Sequence, residues 1–176
     1  MTQAALTSAD IFPTDGTIYI DFTQVDVVDT DAGTTFTDDP AGGVVQTNRG
    51  EAIYCKVGTG GCSPGDCMEI STSPTTGIRT ATKQDTTSSG STPKSDAIAI
   101  STALVDNYAW FLKANLNQVP VNVANGVSSG AALTTTATAG QLGAGGDTVV
   151  GIYTLEASGA SGLTSCSSVG AIGTNI

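Results

Sequence analysis

Short apolar stretches separated by turn-forming residues run along most of the chain, and they predict an all-β fold. Alternation of apolar and polar positions is typical of strands with one wet face, and Gly, Asp and Asn mark the turns between them. The predicted strands are residues 17–23, 24–29, two strands within 44–57 divided by a turn at 48–50, and 68–70, 97–100, 108–116, 119–124, 131–138, 148–157 and 163–169. Many short strands at regular spacing favour a single β-barrel or β-sandwich.

Two parts of the chain divide it into an arm and a domain. Residues 1–43 are predicted to form an extended acidic N-terminal arm with its own strands, and residues 44–176 the β-barrel or β-sandwich domain. Residues 71–96 are the most polar stretch, so we expect a long surface loop there. The glycine-rich residues 140–147 are expected to form a hairpin loop, because they lack the lysine and following helix of a phosphate-binding loop. No exact internal repeat is visible.

The charge distribution argues against a nucleic-acid partner. Only 12% of residues are charged, about half of the roughly 25% usual for soluble domains. The formal charge is −10, and every charged residue before Arg49 is negative. Nucleic-acid binding needs a cationic surface that displaces counterions from phosphates. No apolar run approaches the roughly 20 residues that span a bilayer, so we also expect no membrane partner. The first ten residues, MTQAALTSAD, lack the basic and apolar regions of a signal peptide, so we expect synthesis in the cytosol.

The residue types present leave little room for catalysis. The chain contains no His, which excludes Ser-His and Cys-His nucleophilic sites and the commonest transition-metal ligand. The carboxylates of Asp29, Asp31, Asp38 and Asp39 are candidates for a calcium site or a glycosidase pair. Their spacing is not that of a calcium loop, and with 5% aromatic residues a sugar-binding cleft is hard to build. We therefore predict no catalytic residue, no metal site and no cofactor.

The four cysteines are Cys55, Cys62, Cys67 and Cys166. Cys62 and Cys67 flank a Pro-Gly turn and are close enough in sequence to close a small disulfide loop. Four cysteines allow three pairings, and zinc sites prefer CxxC pairs that are missing here. For a protein made in a reducing cytosol, free thiols are the favoured interpretation.

Three aromatic residues, Tyr108, Trp110 and Phe111, lie in one predicted strand. Because side chains alternate along a strand, Tyr108 and Trp110 point to one face and Phe111 to the other. Trp and Tyr are enriched at the centres of protein interfaces, so these residues are candidates for a partner contact. Packing in the core is the favoured interpretation.

Four segments carry a resemblance to a known family: GEAIYCKV at 50–57, DNYAWFLK at 106–113, ALTTTATAG at 132–140 and VVGIYTL at 149–155. In this order they resemble small β-rich virion proteins of tailed bacteriophages, particularly the head decoration (capsid cement) proteins. The similarity covers about residues 44–160. The chain departs from the family pattern at Ala109, where a Gly usually precedes the Trp, and in residues 62–67 and 71–96.

The resemblance implies a β-barrel or β-sandwich that self-associates, often as a trimer, on the outer surface of the phage capsid after synthesis in the host bacterial cytoplasm. Its partner would be the major capsid protein, whose neighbouring subunits it would cement against the pressure of packed DNA. The acidic arm around Asp10, Ile11, Phe12 and Asp15 would reach onto a neighbour and dock on a basic surface. The alternatives are another virion component (tail, neck or head-fibre protein), a carbohydrate-binding or adhesion module and, last, an enzyme.

Overall fold

The described part of the chain is built from eleven β-strands. A computed structural model describes residues 44–47, 49–75, 77–85, 94–145 and 148–174. The strands are β1 Val44–Thr47, β2 Gly50–Val57, β3 Cys67–Thr72, β4 Arg79–Lys83, β5 Lys94–Ala99, β6 Tyr108–Ala114, β7 Val119–Val123, β8 Ala132–Thr135, β9 Leu142–Gly143, β10 Thr148–Thr154 and β11 Gly162–Thr174. These residues contain no helix, and the predicted all-β fold class is confirmed. The arm residues Asp10, Ile11, Phe12 and Asp15, and the carboxylates at positions 29–39, lie outside the described residues.

All eleven strands belong to one hydrogen-bonded sheet, in the order β1-β2-β4-β3-β5-β6-β11-β10-β8-β9-β7. Two further pairings, β2 with β6 and β7 with β11, turn this linear order into two closed sets of paired strands. Strands β2 to β6 form one closed circuit of pairings, which we call the N-terminal ring. Strands β7 to β11 form the second, the C-terminal ring. The 13-residue β11 also pairs with β5 and β6, so one strand joins both rings.

The two rings repeat the same connectivity. In each ring the first and third strands pair in parallel, and the other four pairings are antiparallel. The registers correspond residue by residue. Corresponding pairs, given for the N-terminal and then the C-terminal ring, are Val57–Ala81 and Val123–Leu142, Cys55–Ala109 and Val121–Thr164, Ile70–Ala81 and Thr135–Leu142, Cys67–Ile98 and Ala132–Tyr153, and Ala99–Phe111 and Thr154–Cys166. The chain is therefore a tandem structural repeat.

The core side chains at corresponding positions differ in size, which hides this repeat in the sequence. Buried Phe111 of the N-terminal ring corresponds to the smaller Cys166. Buried Ala97, which precedes Ile98, corresponds in turn to the larger Ile152. Cores tolerate such exchanges when the total volume is kept. The two rings thus share a backbone arrangement and fill it with different sets of residues.

The core consists of two clusters of buried side chains. The first draws on all five strands of the N-terminal ring, including Met68, Ala81 and Phe111. The second combines the C-terminal ring with the opposite face of β2, β3, β5 and β6, and includes Tyr54 and Trp110. Strands β2 and β6 therefore bury both of their faces, because neighbouring side chains along a strand point in opposite directions.

Two predicted loops contain strands. Residues 71–96, expected to be one surface loop, hold the end of β3, all of β4 and the start of β5. The pattern was missed because β4 reads Arg-Thr-Ala-Thr-Lys and only its central Ala81 is buried. The glycine-rich stretch 140–147 contains the two-residue β9, whose Leu142 pairs with both β7 and β8. By contrast, the predicted division of residues 44–57 into two strands is confirmed, since Thr47 pairs with Gly50.

A core exchange between the rings tests their equivalence. Phe111→Cys alone should lower the free energy of unfolding by about 3 kcal/mol because it leaves a cavity. Ala97→Ile alone should cost about 1–3 kcal/mol through overpacking. The C-terminal ring combines Cys166 with Ile152, so the double variant should lose less stability than the two single variants added together. Urea unfolding of the four proteins measures this coupling, and additive losses would contradict equivalent cores.

Candidate partner-binding surface

The aromatic residues of β6 lie in the interior. Trp110 and Phe111 are buried, and they belong to the second and first core cluster respectively. The half-buried Tyr108 stacks on Tyr54, with ring centroids 5.6 Å apart, and Trp110 meets the same ring at 5.2 Å. The two faces of β6 are divided as the strand periodicity predicts. These side chains therefore hold β6 against β2 and leave little apolar surface for a partner.

The Pro-Gly turn singled out in the sequence is a rigid, well-defined β-turn. The backbone N–H of Asp66 donates to the carbonyl of Ser63 at 3.1 Å. Pro64 occupies the second position, and Gly65 the third with φ +86°, as a type II turn requires. The carboxylate of Asp66 also accepts the backbone N–H of Ser63 at 2.9 Å. Both ends of the turn are thus fixed by the same residue.

The side chain of Asp66 ties this turn to both rings. The residue is only 4% exposed, and its carboxylate lies 2.9 Å from the ammonium group of Lys83 on β4. It also accepts the side-chain N–H of Asn122 on β7 at 3.3 Å, and Asn122 in turn accepts from Gln141 at 3.3 Å. A buried carboxylate is stable only when it is paired and hydrogen-bonded, so this network fixes the position of the turn between the rings.

The connection between β5 and β6 lies against the same segment. Cys62 and Ala103 exchange backbone hydrogen bonds of 2.9 and 3.2 Å, so this connection is held as a short bridge. Asp106 at its end forms a 2.8 Å ion pair with Lys56 on β2. The hydrogen bond and the negative charge of Asp106 raise the pKa of Lys56. The connection therefore has a fixed conformation even where its side chains reach into solvent.

Four exposed apolar residues lie on the turn, on the β5–β6 connection and at the start of β11. We call them the apolar rim: Pro64, Leu104, Val105 and Leu163. Leu104 is 73% exposed and Leu163 is 58% exposed. The Cα atom of Leu104 lies 3.9 Å from the place where a Cβ on Gly61 would be, and the side chain of Leu163 covers Gly65. Sequence reasoning missed the rim, although Leu104 and Val105 are large apolar residues outside every predicted strand, which was the available signal.

All four cysteines are buried free thiols, so Cys62 and Cys67 do not form the candidate disulfide in this structure. Burial disfavours the charged thiolate and raises the pKa of Cys55 and of Cys166 to about 12. The same cause raises the pKa of Cys62, and that of Cys67 well above the usual value. Within the described ranges, no three His, Cys, Asp or Glu residues are placed to hold a metal ion.

Comparison with known proteins adds no relative to this picture: no family model matches the chain, and no curated protein is similar to it in sequence. Across the part of the chain that the structure describes, no helix has the length and hydropathy of a membrane span.

Replacing Gly65 with Ala should destabilise the protein by more than the same change at Gly130. Both glycines have positive φ, +86° and +74°, and an L side chain there costs about 1–3 kcal/mol. A Cβ at Gly65 would also meet the Leu163 side chain and lie 3.1 Å from the Asn122 nitrogen, whereas the space around Gly130 is open. Thermal unfolding of both variants compares the two costs. Equal losses of stability would contradict tight packing of the turn against the C-terminal ring.

The thiols should be inert in the folded protein near neutral pH. The reactive form is the thiolate, and the raised pKa of Cys55 and Cys166, about 12, keeps them protonated. An aromatic disulfide reagent at pH 8 should release almost no chromophore before urea is added, and four equivalents afterwards. Unfolding should also become easier above about pH 9, where unfolded thiols ionise and the folded ones do not. Rapid labelling without urea would contradict the buried positions.

Proposed function

We propose that this protein is a structural virion protein that decorates the outer surface of a phage capsid and stabilises contacts between major capsid protein subunits. The observation that supports it best is the apolar rim, whose exposed side chains lie on the Pro-Gly turn, on β11 and on the connection that backbone hydrogen bonds hold against Cys62. Exposed apolar patches on soluble proteins often mark a surface that a partner covers. The proposed activity is binding, with no chemical reaction.

The construction of the domain suits a part that carries load between neighbouring subunits. Strand β11 belongs to the C-terminal ring and pairs with β5 and β6 of the N-terminal ring. The second core cluster is continuous across both rings. Pulling the rings apart would therefore break backbone hydrogen bonds and expose core side chains at once. A decoration protein needs such a body because the shell that it stabilises is under internal pressure.

The charge distribution favours a second contact through the arm. Residues 1–43 carry eight of the 16 acidic residues and none of the six basic ones, so the rest of the chain has a formal charge of only −2. A nearly neutral domain can approach another protein without much charge desolvation. The acidic arm, with Asp10 and Asp15, would add long-range attraction to a basic surface. On this proposal the domain forms the close contact with the partner, and the arm attracts the partner electrostatically at longer range.

A trimer is the proposed assembly. Closed symmetric oligomers are the usual form of soluble homo-oligomers, and a three-fold assembly suits sites on a shell with local three-fold symmetry. The protein would be made in the bacterial cytoplasm and act on the assembled head.

Binding to phage heads tests the proposal. Labelled protein is added to expanded heads prepared without it, and the copies bound per head are counted after sedimentation. A decoration protein should saturate at a copy number in proportion to the shell lattice, whereas a neck or tail protein should bind in a few copies at one vertex. Heads before expansion are the control for the state of the shell. Absence of binding, or saturation at a few copies, would reject the decoration role.

A further inference from the structure

The tandem repeat provides an internal control for separating residues that the fold needs from residues that it does not. Each ring closes the same circuit of strands in the same register, so corresponding positions occupy the same place on the backbone. The connection between β5 and β6 corresponds to that between β10 and β11. From Ala99 to Phe111 and from Thr154 to Cys166 the chain has the same length, and both ends are paired in corresponding register. The residues between them can therefore be compared one to one.

The backbone bridges within these connections also correspond. In the N-terminal ring Ala103 bonds to Cys62, and in the C-terminal ring the N–H of Ser158 donates to Val127 at 2.9 Å. The turn that begins at Ser63 likewise has a counterpart at Ser128, closed by a 3.2 Å hydrogen bond from Ala131. Both rings thus build the same arrangement of connection and turn.

The side chains on this shared backbone differ sharply. The residues that correspond to Leu104, Val105 and Pro64 are Gly159, Ala160 and Ser129. All three are smaller, and the C-terminal ring forms its connection with them. The fold therefore does not require large apolar side chains at these positions. Their presence in the N-terminal ring alone marks a property other than folding.

We propose that the apolar rim is the docking surface through which the N-terminal ring binds the capsid, and that its occupant is an apolar depression bordered by basic residues on the shell. The inference rests on the proposed function and adds the site and the chemistry of the partner. Leu104 and Val105 insert into the depression, while Pro64 and Leu163 lie at its margin.

Charge complementarity indicates the basic border. The side chain of Asp106, next to Val105, is 75% exposed even though it pairs with Lys56. The acidic residues 1–43 are joined to the domain at Val44, which pairs with Ile53 of β2. The exposed Asp106 lies next to the rim, and the chain as a whole carries a formal charge of −10. A basic protein surface with an apolar depression satisfies both features.

Paired substitutions of exposed residues test the rim without disturbing the core. Leu104→Ser combined with Val105→Ser removes the two inserting side chains. Val169→Ser is the control, because Val169 is 79% exposed and lies about 20 Å further along β11 than Leu163. Circular dichroism and thermal unfolding should be unchanged in both variants. The affinity for expanded heads is measured by sedimentation with wild-type protein as reference.

We expect the double variant to bind heads about tenfold or more weakly, as loss of an interface hot spot does, and Val169→Ser to bind within about twofold of wild type. Wild-type binding should weaken when salt rises from about 0.1 to 1 M, because screening shortens from about 10 to 3 Å. If wild-type protein binds heads and the double variant binds equally well, the rim is not the docking surface, but the decoration role stands. A salt-insensitive wild type would overturn the basic partner.

Two further outcomes distinguish the remaining occupants. If the double variant has a smaller molar mass than wild type by light scattering, the rim is a contact between copies of this chain, and the shell is not its occupant. If wild-type protein does not bind heads at all, the decoration role fails and the proposed occupant fails with it. Unchanged mass together with weakened head binding supports the proposal.

Discussion

Burial of both faces of β2 and β6 is the constraint on which the rest of the structure depends. Cys55 and Phe111 fill the N-terminal ring, while Tyr54 and Trp110 on the same two strands belong to the second cluster. If β6 shifted by one residue along β2, Trp110 and Phe111 would exchange faces while Tyr54 and Cys55 kept theirs, because side chains alternate along a strand. The register of β2 with β6 therefore fixes both cores together, and with them the relative position of the rings.

The connection between β6 and β7 leads from one ring to the other. Hydrogen bonds to polar groups of β11 hold it in place. Asn115 and Gln118, between β6 and β7, have positive φ of 53° and 52°, a conformation that costs energy in residues other than glycine. The strain is offset by a hydrogen bond from Gly170 to the Asn115 side chain at 2.9 Å, and by one from Leu116 to the Ser168 hydroxyl at 2.9 Å. Strand β11 thus fixes the crossing that leads into its own ring.

Sequence reasoning recovered the local pattern and missed the features that depend on distant partners. Apolar alternation predicted β6 and β7 because most of their buried residues are large. It missed β4 and β9, whose single anchors Ala81 and Leu142 are buried only because another strand lies beside them. The repeat was invisible because Phe111 corresponds to Cys166, an exchange that has meaning only when the whole core is known. The rim was missed because the sequence does not show which apolar residues stay exposed once the chain has folded.

The repeat separates stability from binding in a way that a single ring could not. Positions filled in both rings by buried residues, such as Val57 and Val123, follow from the need to close a core. Leu104 and Gly159 occupy corresponding positions on the same backbone, yet one is large and apolar and the other has no side chain. A difference of this kind cannot be attributed to folding, because both rings fold. It favours the proposed asymmetric role, in which the N-terminal ring would bind a partner and the C-terminal ring would support it through β11.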